Sequence, residues 1–273
     1  MSGVGKSNLF NHLLDPAVKS HYLSNTERDY LFLRINFQLP PDLSDRSIYS
    51  LILEQLEFLD GQSTVSPETI EAISEKHEAL LNSADDPLKV QYYFKTAVRQ
   101  LMRQPNRHLV LLCDQFDEVY GEGGTRLFAN LRGLREAYKY RLSYLVFTRD
   151  VLSHIKALDP AREEFHELLA SNQIPLTGYS RADATNMLAR IAKRHQLAVD
   201  EALEAELYRL TSGHAGLLRA TFLALVKDEG TKTAVTQQAP DAIDQLLAHN
   251  GVAEECEKLW GSCSFAEQAA LVR

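Results

Sequence analysis

Near its start the chain carries Gly3-Val4-Gly5-Lys6-Ser7, followed at once by the helical pattern Asn8-Leu9-Phe10-Asn11-His12-Leu13-Leu14. A turn of small residues placed directly before a helix leaves backbone N–H groups aimed at one point, which suits an anion. Glycines let that backbone approach a phosphate closely, a lysine reaches the β and γ phosphates, and a neighbouring hydroxyl ligates Mg2+. The five residues form the second half of the pattern G-x-x-x-x-G-K-[ST], known as Walker A. Gly3, Val4, Gly5, Lys6, Ser7 and Asn8 are therefore candidates for holding a nucleotide, and Ser7 for holding its metal. Gly-Lys-Ser alone is a common tripeptide, so a second feature has to agree with it.

That feature is the run Leu109-Val110-Leu111-Leu112-Cys113-Asp114, apolar and closed by an acid. Ligands gather at the carboxyl ends of the strands in open α/β sheets, so Asp114 there could hold the Mg2+ shell through water. An aspartate that merely ends a buried strand would look the same. The order of features favours the first reading. A helix-opening Gly-Lys-Ser comes first, then a strand at Tyr30–Phe37, then the Asp-ended strand. This is the order of P-loop NTPases that have an extra strand between the two motifs.

The residues around Asp114 divide by chemistry. Gln115 cannot act as a base but can hydrogen-bond a water. Asp117 and Glu118 could take over a catalytic role, or could be solvated acids at a strand end. Arg149 follows the short strand Ser143–Phe147; a guanidinium suits bidentate phosphate contact there, and suits a surface ion pair equally well. His108, His154 and His214 show no metal-ligand spacing and read as structural or surface residues.

The elements that must position these residues are legible from periodicity. Strands are expected at Tyr30–Phe37, His108–Cys113 and Ser143–Phe147, with an edge strand at Ile174–Thr177 that tolerates Pro175. Helical patterns run through Ser47–Leu59, Pro67–Asn82, Leu88–Arg103, Leu127–Tyr140 and Phe165–Ala170. From Ser180 onward only helices are expected, apart from a polar loop at Asp228–Pro240. The organisation read from this change is an α/β core over 1–179, a helical lid over 180–250 and the start of a downstream domain over 251–273.

Composition sets outer bounds. The 273 residues carry 45% hydrophobic and 24% charged side chains, enough for a sizeable buried core. A net charge of −8 gives no support to a nucleic-acid or anionic-lipid partner. Three cysteines without paired spacing suit a reducing compartment, with Cys113 as a small core residue. No stretch reaches the roughly 18–20 apolar residues needed to span a bilayer, so a cytoplasmic location without membrane contact is expected.

Cys113-Asp114-Gln115-Phe116-Asp117-Glu118 resembles the Asp-Glu-Phe-Asp form of Walker B in STAND ATPases, signal-transduction relatives of the AAA+ proteins. Thr148-Arg149-Asp150 is similar to their sensor 1 region. Thr211–Arg219 is similar to the glycine-bearing turn in the helical lid of STAND and origin-recognition-type ATPases. Phe265–Leu271 resembles the first helix of a winged-helix domain. The resemblance implies an α/β P-loop NTPase sandwich with a parallel sheet, a helical lid, ATP and Mg2+ as ligands, and a protein partner or self-association. It also implies a γ-phosphate sensor at Arg219, which could equally be a surface helix arginine. Two positions depart from the family. Gln115 stands where a glutamate is usual, and Ala215 where proline is frequent.

The expected function is an ATP-binding regulatory switch with slow or partner-dependent hydrolysis, in which nucleotide fixes the orientation of core and lid. The alternatives are a DNA-associated origin-recognition-like ATPase with a downstream winged helix, and a scaffold module that has lost nucleotide binding. Counting back from Gly5, the pattern's first glycine falls one place before Met1, and no strand feeds the loop. In the subgroup resembled, that strand lies between Ile174–Thr177 and Ser143–Phe147. The expectation is thus a chain truncated within the loop, marginally folded and a weak nucleotide binder by itself.

Overall fold

Three runs of large apolar and β-branched residues pair in parallel in the computed structural model of the protein, which describes residues 3–23, 28–59, 64–83, 86–157, 159–196 and 199–272. They are β1 (Asp29–Asn36), β2 (Arg107–Asp114) and β3 (Leu142–Val146), in the spatial order β1-β2-β3. Parallel neighbours need long crossovers, and helices supply them. α1 (Lys6–Leu14) and α2 (Pro16–Leu23) precede β1. α3 (Asp45–Glu57), α4 (Pro67–Leu81) and α5 (Pro87–Leu101) join β1 to β2. α6 (Phe116–Glu122) and α7 (Thr125–Tyr138) join β2 to β3, and α8 (Leu152–Ile155) and α9 (Pro160–Ala170) follow. The remainder is helical: α10 (Arg181–His195), α11 (Glu201–Thr211), α12 (Ala215–Lys227), α13 (Glu229–Thr236), α14 (Ala242–Leu247), α15 (Asn250–Ser262) and α16 (Phe265–Leu271).

The chain divides into two compact units. One comprises Phe10–Gln173; the other comprises Met1–Leu9 together with Ile174–Arg273.

In the first unit, burial follows the two-residue period of the strands. Leu31, Leu33 and Ile35 of β1 are buried while Tyr30, Phe32 and Arg34 between them are half-buried. The register pairs Leu31 with Leu109, Leu33 with Leu111 and Ile35 with Cys113, so these residues share one face and enter one core. The helix starts are the ones their sequences announce. Ser44, Ser66 and Asp86 cap α3, α4 and α5 through their side chains, and proline opens α4 and α5. Two buried arginines act as clasps. Arg107 reaches Asp29, Gln104 and the carbonyls of Leu101 and Thr64, and Arg162 reaches Asp159 and the carbonyls of Tyr120 and Gly123.

In the second unit, Ala184, Leu188, Leu203, Leu207, Leu218, Phe222 and Leu225 form a separate apolar core. The expected loop at Asp228–Pro240 is instead largely the helix α13. Asp228 caps it by accepting the Thr231 N–H, and Val235 is buried in that core, which outweighs the polar composition. The expected edge strand Ile174–Thr177 is not formed either. Pro175 has no N–H to give a ladder, and the Ile174 side chain is 82% exposed, so burial gives a strand there no advantage. The backbone just beyond pairs with a turn, the Tyr179 N–H donating to the Gly213 carbonyl at 2.8 Å.

Among the described residues no helix is long and apolar enough to cross a membrane. Cys113 lies inside the core of the first unit, where burial pushes its thiol up to about 12. A thiol reagent at neutral pH should therefore label only the half-buried Cys256 and Cys263 of the native protein, with Cys113 reacting after denaturation. Three fast-reacting thiols in timed labelling of the native protein would contradict this packing.

Candidate functional site

The predicted site residues fall into two groups, one in each unit. The loop Gly3–Ser7 opens α1 within the helical unit. Gly3 and Gly5 have φ of 74° and 104°, left-handed values that other residues adopt at a cost. Space is restricted there too. A Cβ on Gly5 would lie 3.3 Å from the Tyr179 hydroxyl, and one on Gly3 only 2.9 Å from a Glu255 carboxylate oxygen and from the His214 ring. Polar contacts tie the loop down. The Gly216 N–H donates to the Gly3 carbonyl at 2.9 Å, and the Asn8 amide donates to the Tyr179 hydroxyl at 2.9 Å. Val4 is buried, Lys6 half-buried, and Ser7 and Asn8 exposed. His214 caps α12, its Nδ1 accepting the Leu217 N–H, and Arg219 stands exposed further along that helix.

The second group gathers at the carboxyl end of β2. Asp114 is buried, and its Oδ2 accepts from Arg34 Nη2 at 2.6 Å. Gln115 follows with φ 57° and ψ 41°, a left-handed conformation that breaks the strand and starts α6. Strain of this kind at a non-glycine residue concentrates at functional turns. The backbone of this turn is bonded to the end of β3. The Phe147 N–H donates to the Cys113 carbonyl at 2.9 Å, and the Phe116 N–H to the Phe147 carbonyl at 3.2 Å. That pairing delivers Arg149. Its N–H donates to Asp117 Oδ1 at 2.7 Å and its Nη2 to Gln115 Oε1 at 3.4 Å. Asp117 is thus engaged in holding the Arg149 backbone, while its Oδ2 is buried without a partner. Glu118 is exposed and borders a cleft of about 410 Å3 formed by Phe37–Gln38 and Pro40–Leu43. Asp42 in that cleft is lowered to about 2, chiefly by hydrogen bonds from Ser44 and Ser47.

These features fit a triphosphate and Mg2+. Gly3–Ser7 is a glycine turn at the N-terminus of α1, the geometry in which backbone N–H groups can meet an anion. The Asp114 carboxylate and the Ser7 hydroxyl are hard oxygen donors of the kind Mg2+ takes. Among the described residues no cluster of three or more His, Cys, Asp or Glu forms a metal cage. Mg2+ that retains waters and leans on phosphate oxygens needs none.

Four participants were missed in the sequence: Arg34 on Asp114, Tyr179 on Asn8, and His214 and Glu255 beside Gly3. Arg34 left a signal as the single charge in the apolar run Tyr30–Phe37, and His214 stood within the turn Thr211–Arg219 but read as a structural or surface residue.

A family model described as Novel STAND NTPase 1 matches residues 1–273, the full length of the chain. No curated protein and no solved structure matches it.

Proposed function

We propose that this chain, which belongs to the Novel STAND NTPase 1 family, binds ATP with Mg2+ and works as a regulatory switch whose hydrolysis is slow or depends on a partner. The observation that carries the slow-hydrolysis part is Gln115. It occupies the turn directly after Asp114, with its amide oxygen toward Arg149, and an amide cannot take a proton from water. Within this reading the N–H groups opening α1 hold the phosphates, Lys6 contacts the β and γ phosphates, and Ser7 and Asp114 hold Mg2+. Bound Mg2+ would neutralise phosphate charge. Asp117 positions Arg149 by fixing its backbone, and Arg149 is the group that would sense the γ phosphate. Arg219 serves as a second sensor from α12. The family match does not favour the DNA-associated or the scaffold reading.

Gln115→Glu tests the point directly. Steady-state hydrolysis should rise about 100-fold, the low end of what a positioned general base contributes. Nucleotide affinity, measured in parallel, should change little. An unchanged turnover at unchanged affinity would mean that Gln115 does not limit hydrolysis.

A further inference from the structure

Arg34, Arg107 and Arg162 of the first unit are each paired with an aspartate, and the three are built differently. Arg107 is 1% exposed and spreads its donors over four acceptors, while Arg162 is buried against two carbonyls and a carboxylate. Among the described residues Arg34 makes one hydrogen bond, Nη2 to Asp114 Oδ2, with its side chain 38% exposed and its Nε buried and unpartnered. Parallel register explains the reach. Arg34 pairs with Leu112 and Asn36 with Asp114, so Arg34 and Asp114 share a sheet face two residues apart. The guanidinium rests 4.6 Å from the centre of the Phe10 ring, which itself lies 4.1 Å from that of Phe147. Arg107 and Arg162 are sealed structural bridges; Arg34 is held on one oxygen and on one ring face.

On the nucleotide-binding reading given above, we propose that Arg34 is an exchangeable counter-cation of Asp114, and that a divalent metal must displace it to reach the carboxylate. A buried carboxylate needs a compensating charge, and Arg34 supplies it when no metal is present. A guanidinium on Oδ2 and a divalent ion brought with its water shell to the same carboxylate repel each other, since both are cations competing for one negative charge. Arg34 therefore sets the Mg2+ concentration at which nucleotide binding becomes metal-supported. Displacement is eased because the guanidinium leaves a single hydrogen bond and can move toward solvent.

The test is the Mg2+ dependence of the affinity for a fluorescent ATP analogue, starting from excess chelator and read as the half-point of the Mg2+ effect. Arg34→Gln and Arg34→Met remove the cation, and methionine keeps packing against Phe10. Both should lower the half-point about tenfold, the scale of one charge-assisted hydrogen bond. Arg34→Lys keeps a cation and should stay within about threefold of the unsubstituted protein. Thermal melting identifies any variant that does not fold, and the remaining cation-free variant then decides. An unchanged or raised half-point in a folded cation-free variant overturns the inference and leaves nucleotide binding intact. An unsubstituted protein that binds no nucleotide at any Mg2+ concentration overturns both.

Discussion

Lys6→Ala should weaken triphosphate binding about 10- to 100-fold, because it removes a charge-assisted hydrogen bond worth roughly 1.5–3 kcal/mol. Lys6 is the first residue of α1, directly after Gly5. Its ammonium is the one full positive charge of the loop, the rest of which offers only N–H dipoles and a hydroxyl. Alanine is a stronger helix former than lysine, so α1 should survive the change. Titration with a fluorescent nucleotide, alongside circular dichroism, separates the two contributions. Retained helicity with lost affinity is expected, and an unchanged Kd would remove the loop from the binding site. The effect should be larger for tri- than for monophosphates, since a lysine at this place in the motif serves the β and γ groups, which a monophosphate lacks.

Phe116→Ala should destabilise the α/β unit by about 3–5 kcal/mol, the usual cost of deleting a buried ring. Phe116 is fully buried, and its ring lies within 5.3–6.4 Å of Phe37, Phe165, Tyr120 and Phe128, measured between ring centres. Those partners come from the end of β1 and from α6, α7 and α9, so one side chain joins four segments around the turn that carries Asp114 and Gln115. The lost volume cannot be recovered easily, because close-packed rings leave little room to collapse. A fall in melting temperature on the order of 10 °C is expected. Phe116→Leu preserves most of the volume and should cost less than about 2 kcal/mol. If the alanine variant melts within a degree or two of the parent, the aromatic cluster does not hold this turn.

Several features were written locally and could be read without a fold. The strands announce themselves because a parallel sheet covered by helices needs apolar runs, and Leu109–Cys113 is such a run. Helix starts at Ser44, Ser66 and Asp86 follow from side-chain oxygens that meet N–H groups two or three residues away. The chemistry-bearing stretches, Gly3–Ser7 and Asp114–Glu118, are contiguous, and the family match over the whole chain agrees with the membership they suggested. Residues 229–236 were misread because their helicity depends on burying Val235 in a core made by distant helices. Residues 174–177 were misread because alternating apolar residues favour a strand only where a partner edge and a buried face exist.

The sequence by itself determined what kinds of groups this protein owns: a glycine loop with a lysine opening a helix, an acid at a strand end, and a glutamine directly after it. Local chemistry suffices for that, since each depends on neighbours a few positions away. Tertiary structure alone decided which groups face one another. Arg34 and Asp114 are far apart in the chain and meet only through strand register. Asp117, which looked like a spare catalytic acid, is bonded to the Arg149 backbone because β3 ends beside the turn after β2. The loop's neighbours Tyr179 and Glu255 likewise come from distant sequence. Pairings of this kind are set by packing, and packing is a property of the whole chain rather than of any window within it.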